Sequence, residues 1–223
     1  MTKQSPSKAK IASPVRGSQR QSEKTMNQKL ATLLKELEEF GKTNDATVTD
    51  RSRRMLNITR DTGEFLLLIA RAIEARRILE IGTSNGYSTL WLAYAVQQFS
   101  GTVTTVEQSQ SKVDLARANF ERVSMTPWIQ QHVGDATDFF QQQADNSFGL
   151  IFLDSDRAQY VGWWRDLQRI LTLGGLMIVD NAVSHANELK TFVDVVQATP
   201  GYLTSLVPVG NGEFMVLKQT IGR

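Results

Sequence analysis

The sequence predicts a doubly wound α/β fold, a mostly parallel sheet that ends in an antiparallel hairpin. Two observations carry this. From Arg77 onward apolar runs alternate with helical segments: Arg77 to Ile81, Thr102 to Glu107, Ile129 to Val133, Leu150 to Asp154 and Leu176 to Asp180 read as strands, with helices over 87–99, 109–123, 136–142 and 160–171 between them. Strands that alternate with helices form crossover units and pair in parallel. Four of the five strands show little polar alternation, as expected where helices cover both faces of a sheet. After a further helix over 188–198, Tyr202 to Val207 and Phe214 to Lys218 flank Val209-Gly210-Asn211-Gly212, and the Asn-Gly pair marks a hairpin.

The residues ahead of this core follow in order. Residues 1–25 hold six bases against Glu23 alone, with many Ser, Gln and Pro and almost no apolar side chains. Such a segment cannot bury enough surface to fold, so a disordered basic tail is expected. Leu30, Leu33, Leu34 and Leu37 then fall at helical spacing, with Phe40 continuing the stripe and Gly41 where a helix ends, which predicts an amphipathic helix over 27–40. A polar break from Lys42 to Thr49 precedes a short helical stretch near Arg51 to Leu56. Asp61 stands three residues before Glu64, a capping-box arrangement ahead of the apolar run Phe65 to Ile73. The expected organisation is thus the tail 1–25 and a single domain 26–223, of which 26–60 is a helical cover and 61–223 the α/β core.

Composition excludes several classes. Among 223 residues there is no Cys, and His132 and His185 are the only histidines, so zinc-thiolate, iron–sulfur and cysteine-nucleophile chemistry are out. Any metal must be a hard cation held by oxygen. Apolar runs such as Phe65 to Ala70 are far too short to span a bilayer, and the tail has neither a secretory apolar core nor an amphipathic transit stripe. No membrane association and a cytoplasmic location are expected. The formal charge of +2 combines a tail of +5 with a body of −3. A mildly acidic body argues against a nucleic-acid-binding fold.

In open α/β sheets the ligand lies beyond the carboxyl ends of the strands. Those ends offer Glu80-Ile81-Gly82, Glu107, Gly134-Asp135, Asp154 and Asp180-Asn181, a row of acids and one amide. In Ile81-Gly82-Thr83-Ser84-Asn85-Gly86 the glycines let the backbone approach a ligand, and the spacing is G-x-x-x-G rather than G-x-G-x-x-G. Glu80 beside that loop would repel a pyrophosphate but suits a cationic ligand, which favours S-adenosylmethionine over NAD. Glu107 can accept both hydroxyls of a ribose. Asp135 and Ala136 stand where an adenine edge is usually met, although Asp135 equally fits a helix N-cap. Asp154, Asp180 and Asn181 supply three oxygens that repel one another unless a cation sits among them, a magnesium-type set that leaves room for a chelating acceptor. The same acids also fit ordinary strand-end caps.

The pieces LEIGTSNGYST, VEQS, FLDSDRAQY and LMIVDN follow in an order and spacing that resembles the metal-dependent S-adenosylmethionine O-methyltransferases, relatives of which act on catechols and caffeoyl-coenzyme A. The resemblance covers roughly Leu56 to Lys218. It implies a class I methyltransferase, Rossmann-like fold with a mostly parallel seven-stranded sheet. It places Gly82, Ser84, Ser88, Glu107, Asp135, Ala136 and Asp154 around S-adenosylmethionine, with Leu56 and Ile58 near it. It makes Asp154, Asp180 and Asn181 ligands of Mg²⁺ or another divalent cation. Asp156 matches the second acid of the family's D-x-D-K pattern, and Arg157 stands in place of its lysine. A guanidinium cannot accept a proton, so Arg157 can only stabilise an anion, and the proton falls to Asp156 or solvent.

Two further residues keep two readings each. His185 lines an acceptor pocket or is a solvated loop residue. Glu213 matches a position that holds the substrate hydroxyl in some relatives, or is a plain hairpin charge. Trp164, Leu167 and Ile170 or Leu171 fall at core spacing, which turns Trp163 elsewhere, toward a subunit interface such as a homodimer's. The expected activity is methyl transfer to a small aromatic hydroxyl of catechol-like or hydroxycinnamoyl type. A metal-independent methyltransferase and a binding protein that has lost catalysis are the rivals.

Overall fold

The computed structural model describes residues 15–220, with side chains from residue 28 onward. Seven strands form one sheet in the order β3-β2-β1-β4-β5-β7-β6, built from β1 Arg77–Ile81, β2 Thr102–Glu107, β3 Ile129–Val133, β4 Phe148–Leu153, β5 Leu171–Val179, β6 Tyr202–Val207 and β7 Glu213–Lys218. β1 to β5 pair in parallel, and β7 runs antiparallel between β5 and β6. This is the doubly wound sheet with its terminal hairpin.

Successive residues of the central strands feed opposite faces, and both faces are dry. Ile78, Leu150, Phe152 and Ile178 pack with helices α1 Val15–Thr47, α2 Arg60–Ala72 and α3 Tyr87–Val96, whereas Leu79, Ile151, Leu153 and Met177 pack with α5 Ala136–Gln141, α6 Tyr160–Ile170 and α7 Ala186–Ala198. That explains the absence of polar alternation. Helix α4 Gln110–Arg122 follows β2 and adds Ala116 and Phe120 to the first of these layers.

Several expectations are corrected. The first helix is much longer than 27–40. It begins at Val15, inside the segment expected to be disordered, and runs to Thr47, while residues 1–14 lie outside the described residues. Gln, Arg, Glu, Lys and Met between Arg16 and Leu30 are good helix formers, and extending a helix already anchored at Leu30 costs little. Gly41 does not end the helix. Gly41, rather than Phe40, continues the buried stripe of Leu30, Leu34 and Leu37, and a Cβ there would lie 2.6 Å from Asn57 Nδ2, which donates to the Leu37 carbonyl. Phe40 points outward, 46% exposed.

The stretch Arg51 to Leu56 contains one 3₁₀ turn, Arg51–Arg53, capped by Asp50. Thr59, not Asp61, caps α2: its Oγ1 accepts from Thr62 N at 3.2 Å, and Asp61 stands in the first turn, where its charge favours the helix dipole. β5 begins at Leu171, five residues before the expected start, because Leu171 pairs with Phe148 ahead of a register shift at Gly149. Trp163 faces inward, not toward a subunit interface. It is buried against Phe140 and Tyr160, and its Nε1 donates to Thr137 Oγ1 at 3.0 Å. Trp164, Leu167, Ile170 and Leu171 are core residues, as expected. Among the described residues no helix is long and apolar enough to cross a membrane.

Candidate active site

A cleft of about 1030 Å³ opens at the carboxyl ends of the strands, and nearly every residue singled out in the sequence lines it. Its floor is the turn after β1. Gly82, at φ +107°, lies so close to the Asp154 backbone that a Cβ would overlap the Asp154 carbonyl oxygen, and Gly86, at φ +85°, is packed against Phe120 in the same way. Ser84, at φ +48°, donates its Oγ to the Met55 carbonyl at 2.6 Å. This bond, with Asp45 accepting from the Met55 and Leu56 amides at 2.7 and 2.8 Å, draws Leu56 and Ile58 to the wall. Ser88, Asn85 and Tyr87 continue the floor at the start of α3.

Glu107 ends β2 with both carboxylate oxygens engaged, Oε2 by the Ser84 amide at 3.0 Å and Oε1 by the Ser109 amide at 2.9 Å. Two backbone donors from different loops fix the plane of the carboxylate while it still faces the cleft. Asp135 is indeed the N-cap of α5. Its Oδ1 accepts from Thr137 N at 2.7 Å and its Oδ2 from Gln108 Nε2 at 2.8 Å, and these bonds, Thr137's first, hold its carboxyl below the usual range. It lines the cleft beside Ala136 nonetheless.

Glu80 is the exception among the expected cofactor residues. It does not line the cleft. It is fully buried beneath the turn, where its Oε2 accepts from Thr105 Oγ1 at 2.6 Å and from Thr89 Oγ1, so it cannot meet a ligand's cation directly. The motif's acid thus ties β1 to β2 and α3 from below. Burial pushes its carboxyl up to about 7 against the hydroxyl bonds that lower it. A raised native value means that the folded state keeps a proton the unfolded chain has released. Stability from this group is therefore full below about pH 4.5 and falls by about 3 kcal/mol as pH rises to 7. Thermal melts across that window should show a decline to which Asp154, Asp180 and Glu213 also contribute, and Glu80→Gln should make it shallower. An equally steep decline in the variant would assign it to other groups.

Opposite the turn, Asp154 and Asp180 stand just beyond β4 and β5, still tied into the sheet by Asp154 N to the Ile81 carbonyl at 3.0 Å and Asp180 N to the Leu153 carbonyl at 3.1 Å. Adjacent parallel strands therefore deliver both acids to one end of the sheet. Burial first, and the neighbouring Asp180 and Glu80 charges next, raise the Asp154 carboxyl well above its ordinary value; burial raises Asp180 too. Asn181, at φ +67°, donates its Nδ2 to Asp180 Oδ2 at 2.8 Å. The three residues after it are gripped by the hairpin loop: Ala182 N donates to the Gly212 carbonyl at 2.7 Å, and Val183 N and Ser184 N to the Asn211 carbonyl at 3.0 Å each.

Glu213 is no plain hairpin charge. It is fully buried and accepts from Thr62 Oγ1 at 2.9 Å, and burial together with the neighbouring Asp180 charge lifts it to about 9. It therefore holds a proton at neutral pH. Among the described residues no three His, Cys, Asp or Glu side chains converge as a metal group, and the third member of the expected set is the Asn181 amide.

Asp156 caps the 3₁₀ turn Arg157–Gln159, and Arg157 is 8% exposed, with its Nε donating to Glu188 Oε2 at 2.8 Å. Sequence reasoning missed Glu188. The available signal was an acid three residues after His185 at a helix start. His185 lines the cleft and hydrogen-bonds Ser184 Oγ through Nδ1 at 2.9 Å.

Comparison with known proteins bears on the same elements. The sequence profile described as O-methyltransferase matches residues 23–218. A catechol O-methyltransferase of Mycobacterium tuberculosis is 36% identical over 126 residues, 56% of this chain and 57% of that protein. Caffeoyl-CoA O-methyltransferase 1 of Zea mays is 26% identical over 134 residues, 58% of this chain and 52% of its own length. The alignments thus span little more than half the length of these curated relatives. An O-methyltransferase from Bacillus cereus, solved in complex with SAH, superposes with a TM-score of 0.71 at 25% identity over 84% of this chain and 91% of its own. With the match running from before α2 through β7, this chain belongs to the O-methyltransferase family.

Proposed function

We propose that the protein is an S-adenosylmethionine- and divalent-cation-dependent O-methyltransferase acting on a small catechol-like or hydroxycinnamoyl-type hydroxyl. The observation that carries this reading is that one cleft holds the Gly82 turn and Glu107 on one side and the neighbouring acids Asp154 and Asp180 on the other. The residues fit both groups. Asp180 Oδ1 is buried without a hydrogen-bond partner among the described residues, and two crowded carboxylates beside an amide form a hard-oxygen donor set that a cation of the magnesium type would relieve. Asp154, Asp180 and Asn181 would hold that cation, the amide turned to offer Oδ1, since amide orientation follows its partners. Gly82, Ser84, Ser88, Glu107, Asp135 and Ala136 would hold S-adenosylmethionine, with Leu56 and Ile58 above it.

When bound, the sulfonium supplies an electrophilic methyl group and the cation the Lewis acidity that eases loss of the hydroxyl proton. The chain's part is placement and proton handling. Holding the acceptor oxygen in line behind the methyl accounts for up to about 10 kcal/mol of the barrier. Arg157 contributes a fixed positive charge, felt at Asp154 and Asp180, that stabilises the developing oxyanion without touching it. Asp156, engaged through Oδ1 by the Ala158 amide at 3.2 Å, takes the proton or passes it to solvent.

Mass-spectrometric assay of a catechol with S-adenosylmethionine, with and without Mg²⁺, tests the proposal. Methylation that requires the cation supports it. Methylation at an unchanged rate after chelation points to the metal-independent rival, and binding without turnover to the lost-catalysis one. A finer test is Glu107→Ala. Each charge-assisted bond to a ribose hydroxyl is worth about 1.5–3 kcal/mol, so calorimetry should show S-adenosylmethionine bound at least about tenfold more weakly. Parental affinity in a folded variant would remove Glu107 from the cofactor site.

A further inference from the structure

We propose that the acceptor carries a carboxylate, received at the rim of the cleft by Arg51, Arg157 and His185. This rests on the acceptor reading above and deepens it.

The cleft carries charges of both signs. Asp154 and the buried Asp180 line it just beyond β4 and β5. It also receives cationic or donor side chains from three separate elements: Arg51 from the turn after α1, Arg157 from the turn after β4 and His185 from the start of α7. The carboxylate they gather around is Glu188, itself 55% exposed, which accepts from the nearly buried Arg157 guanidinium at 2.8 Å. Two guanidiniums, an imidazole and the positive end of the α7 dipole thus act on one solvent-exposed acid, and Arg157 and His185 act on Asp180 as well. In keeping with this excess, the Arg157 hydrogen bond, and after it the Arg157, His185 and Arg51 charges, hold Glu188 below the usual carboxylate range.

The excess has a geometric meaning. Arg157 uses Nε on Glu188, and a guanidinium has four further N–H donors in a planar fork that matches a two-oxygen anion. Glu188 shows that a carboxylate fits this rim. Because its side chain stands mostly in solvent, it can yield or share its place without leaving a buried charge behind. An acceptor with hydroxyls at one end and a carboxylate at the other would be held at both ends. Two tethers decide which hydroxyl faces the methyl donor, so the rim sets regiochemistry as well as affinity.

The test compares a dihydroxybenzoate with its neutral carboxamide, titrated calorimetrically into the full chain with Mg²⁺ and S-adenosylhomocysteine. The benzoate should bind about tenfold more tightly at low salt, and its preference should shrink as salt approaches about 1 M, where the Debye length is about 3 Å. Arg51→Gln should reduce the preference and Arg51→Lys restore part of it. Arg51 is exposed, so neither change threatens folding. With S-adenosylmethionine present, the ratio of the two O-methyl products from the benzoate should shift in Arg51→Gln. Equal binding of benzoate and carboxamide, or a preference that survives an Arg51→Gln/His185→Gln double variant, overturns the rim site alone. If neither compound binds, the acceptor reading falls with it.

Discussion

Asp180→Ala should lower methyl transfer to a catechol by about a thousandfold, equivalent to about 4 kcal/mol of barrier. The change removes one of the two carboxylates that adjacent strands deliver to the cleft, and leaves Asp154 and an amide, too few anionic oxygens for a hard cation. It should not unfold the protein, because it relieves a crowded acid group that includes Asp154 and the protonated Glu213. The decisive reading is stability with and without Mg²⁺. A ligand that binds only the native state raises the melting temperature, by an amount that grows with its concentration over Kd. The parent should melt higher as Mg²⁺ is added and the variant should not. A variant with parental turnover, or one that still gains stability from the cation, would place the metal elsewhere.

Gly82→Ala should destabilise the protein by about 2–4 kcal/mol, because it combines a backbone conformation that side chains rarely adopt with a direct overlap. At φ +107° the new methyl would be driven into the Asp154 carbonyl oxygen. Two elements meet there, the turn after β1 and the end of β4, and relief requires one to retreat. For a domain of this size the loss corresponds to a fall in melting temperature of roughly 5–15 °C, measurable by calorimetry. Asp154 sits on the displaced segment, so affinity for both cation and S-adenosylmethionine should fall as well. A melting temperature within about 1 °C of the parent's would mean that the turn and β4 are not in contact.

The core strands were legible because burial on both faces leaves a plain mark, a short continuous apolar run bounded by turn residues. The acids at their ends were legible for a related reason. A carboxylate directly after such a run has nowhere to point but the crevice, as Asp154 and Asp180 do. Ends of elements were less legible. Gly41 reads as a helix stop, but the helix continues because Asn57, sixteen residues on, needs the space a missing Cβ leaves. Asp61 and Glu64 read as a capping box, yet Thr59 takes the cap. Local rules state what a residue can do, and tertiary partners choose among the options.

Glu80, Glu213 and Arg157 show where local sequence ceases to decide. Glu80 and Arg157 stand inside motifs that point to the site, whereas Glu213 fits either the site or a plain hairpin charge, and residue type settles the role of none of them. By itself the sequence determined the doubly wound order of elements, the glycine turn, and the set of acids beyond the strands, since each follows from periodicity or position along one segment. Only the tertiary structure decided that Glu80 lies sealed under the turn among threonines, that Glu213 keeps a proton beside Asp180, and that Arg157 shares its charge with Glu188. The physical reason is that burial and pairing set how a charge behaves, and both depend on groups far away in sequence: Thr62 lies 151 residues from Glu213, and Glu188 lies 31 from Arg157.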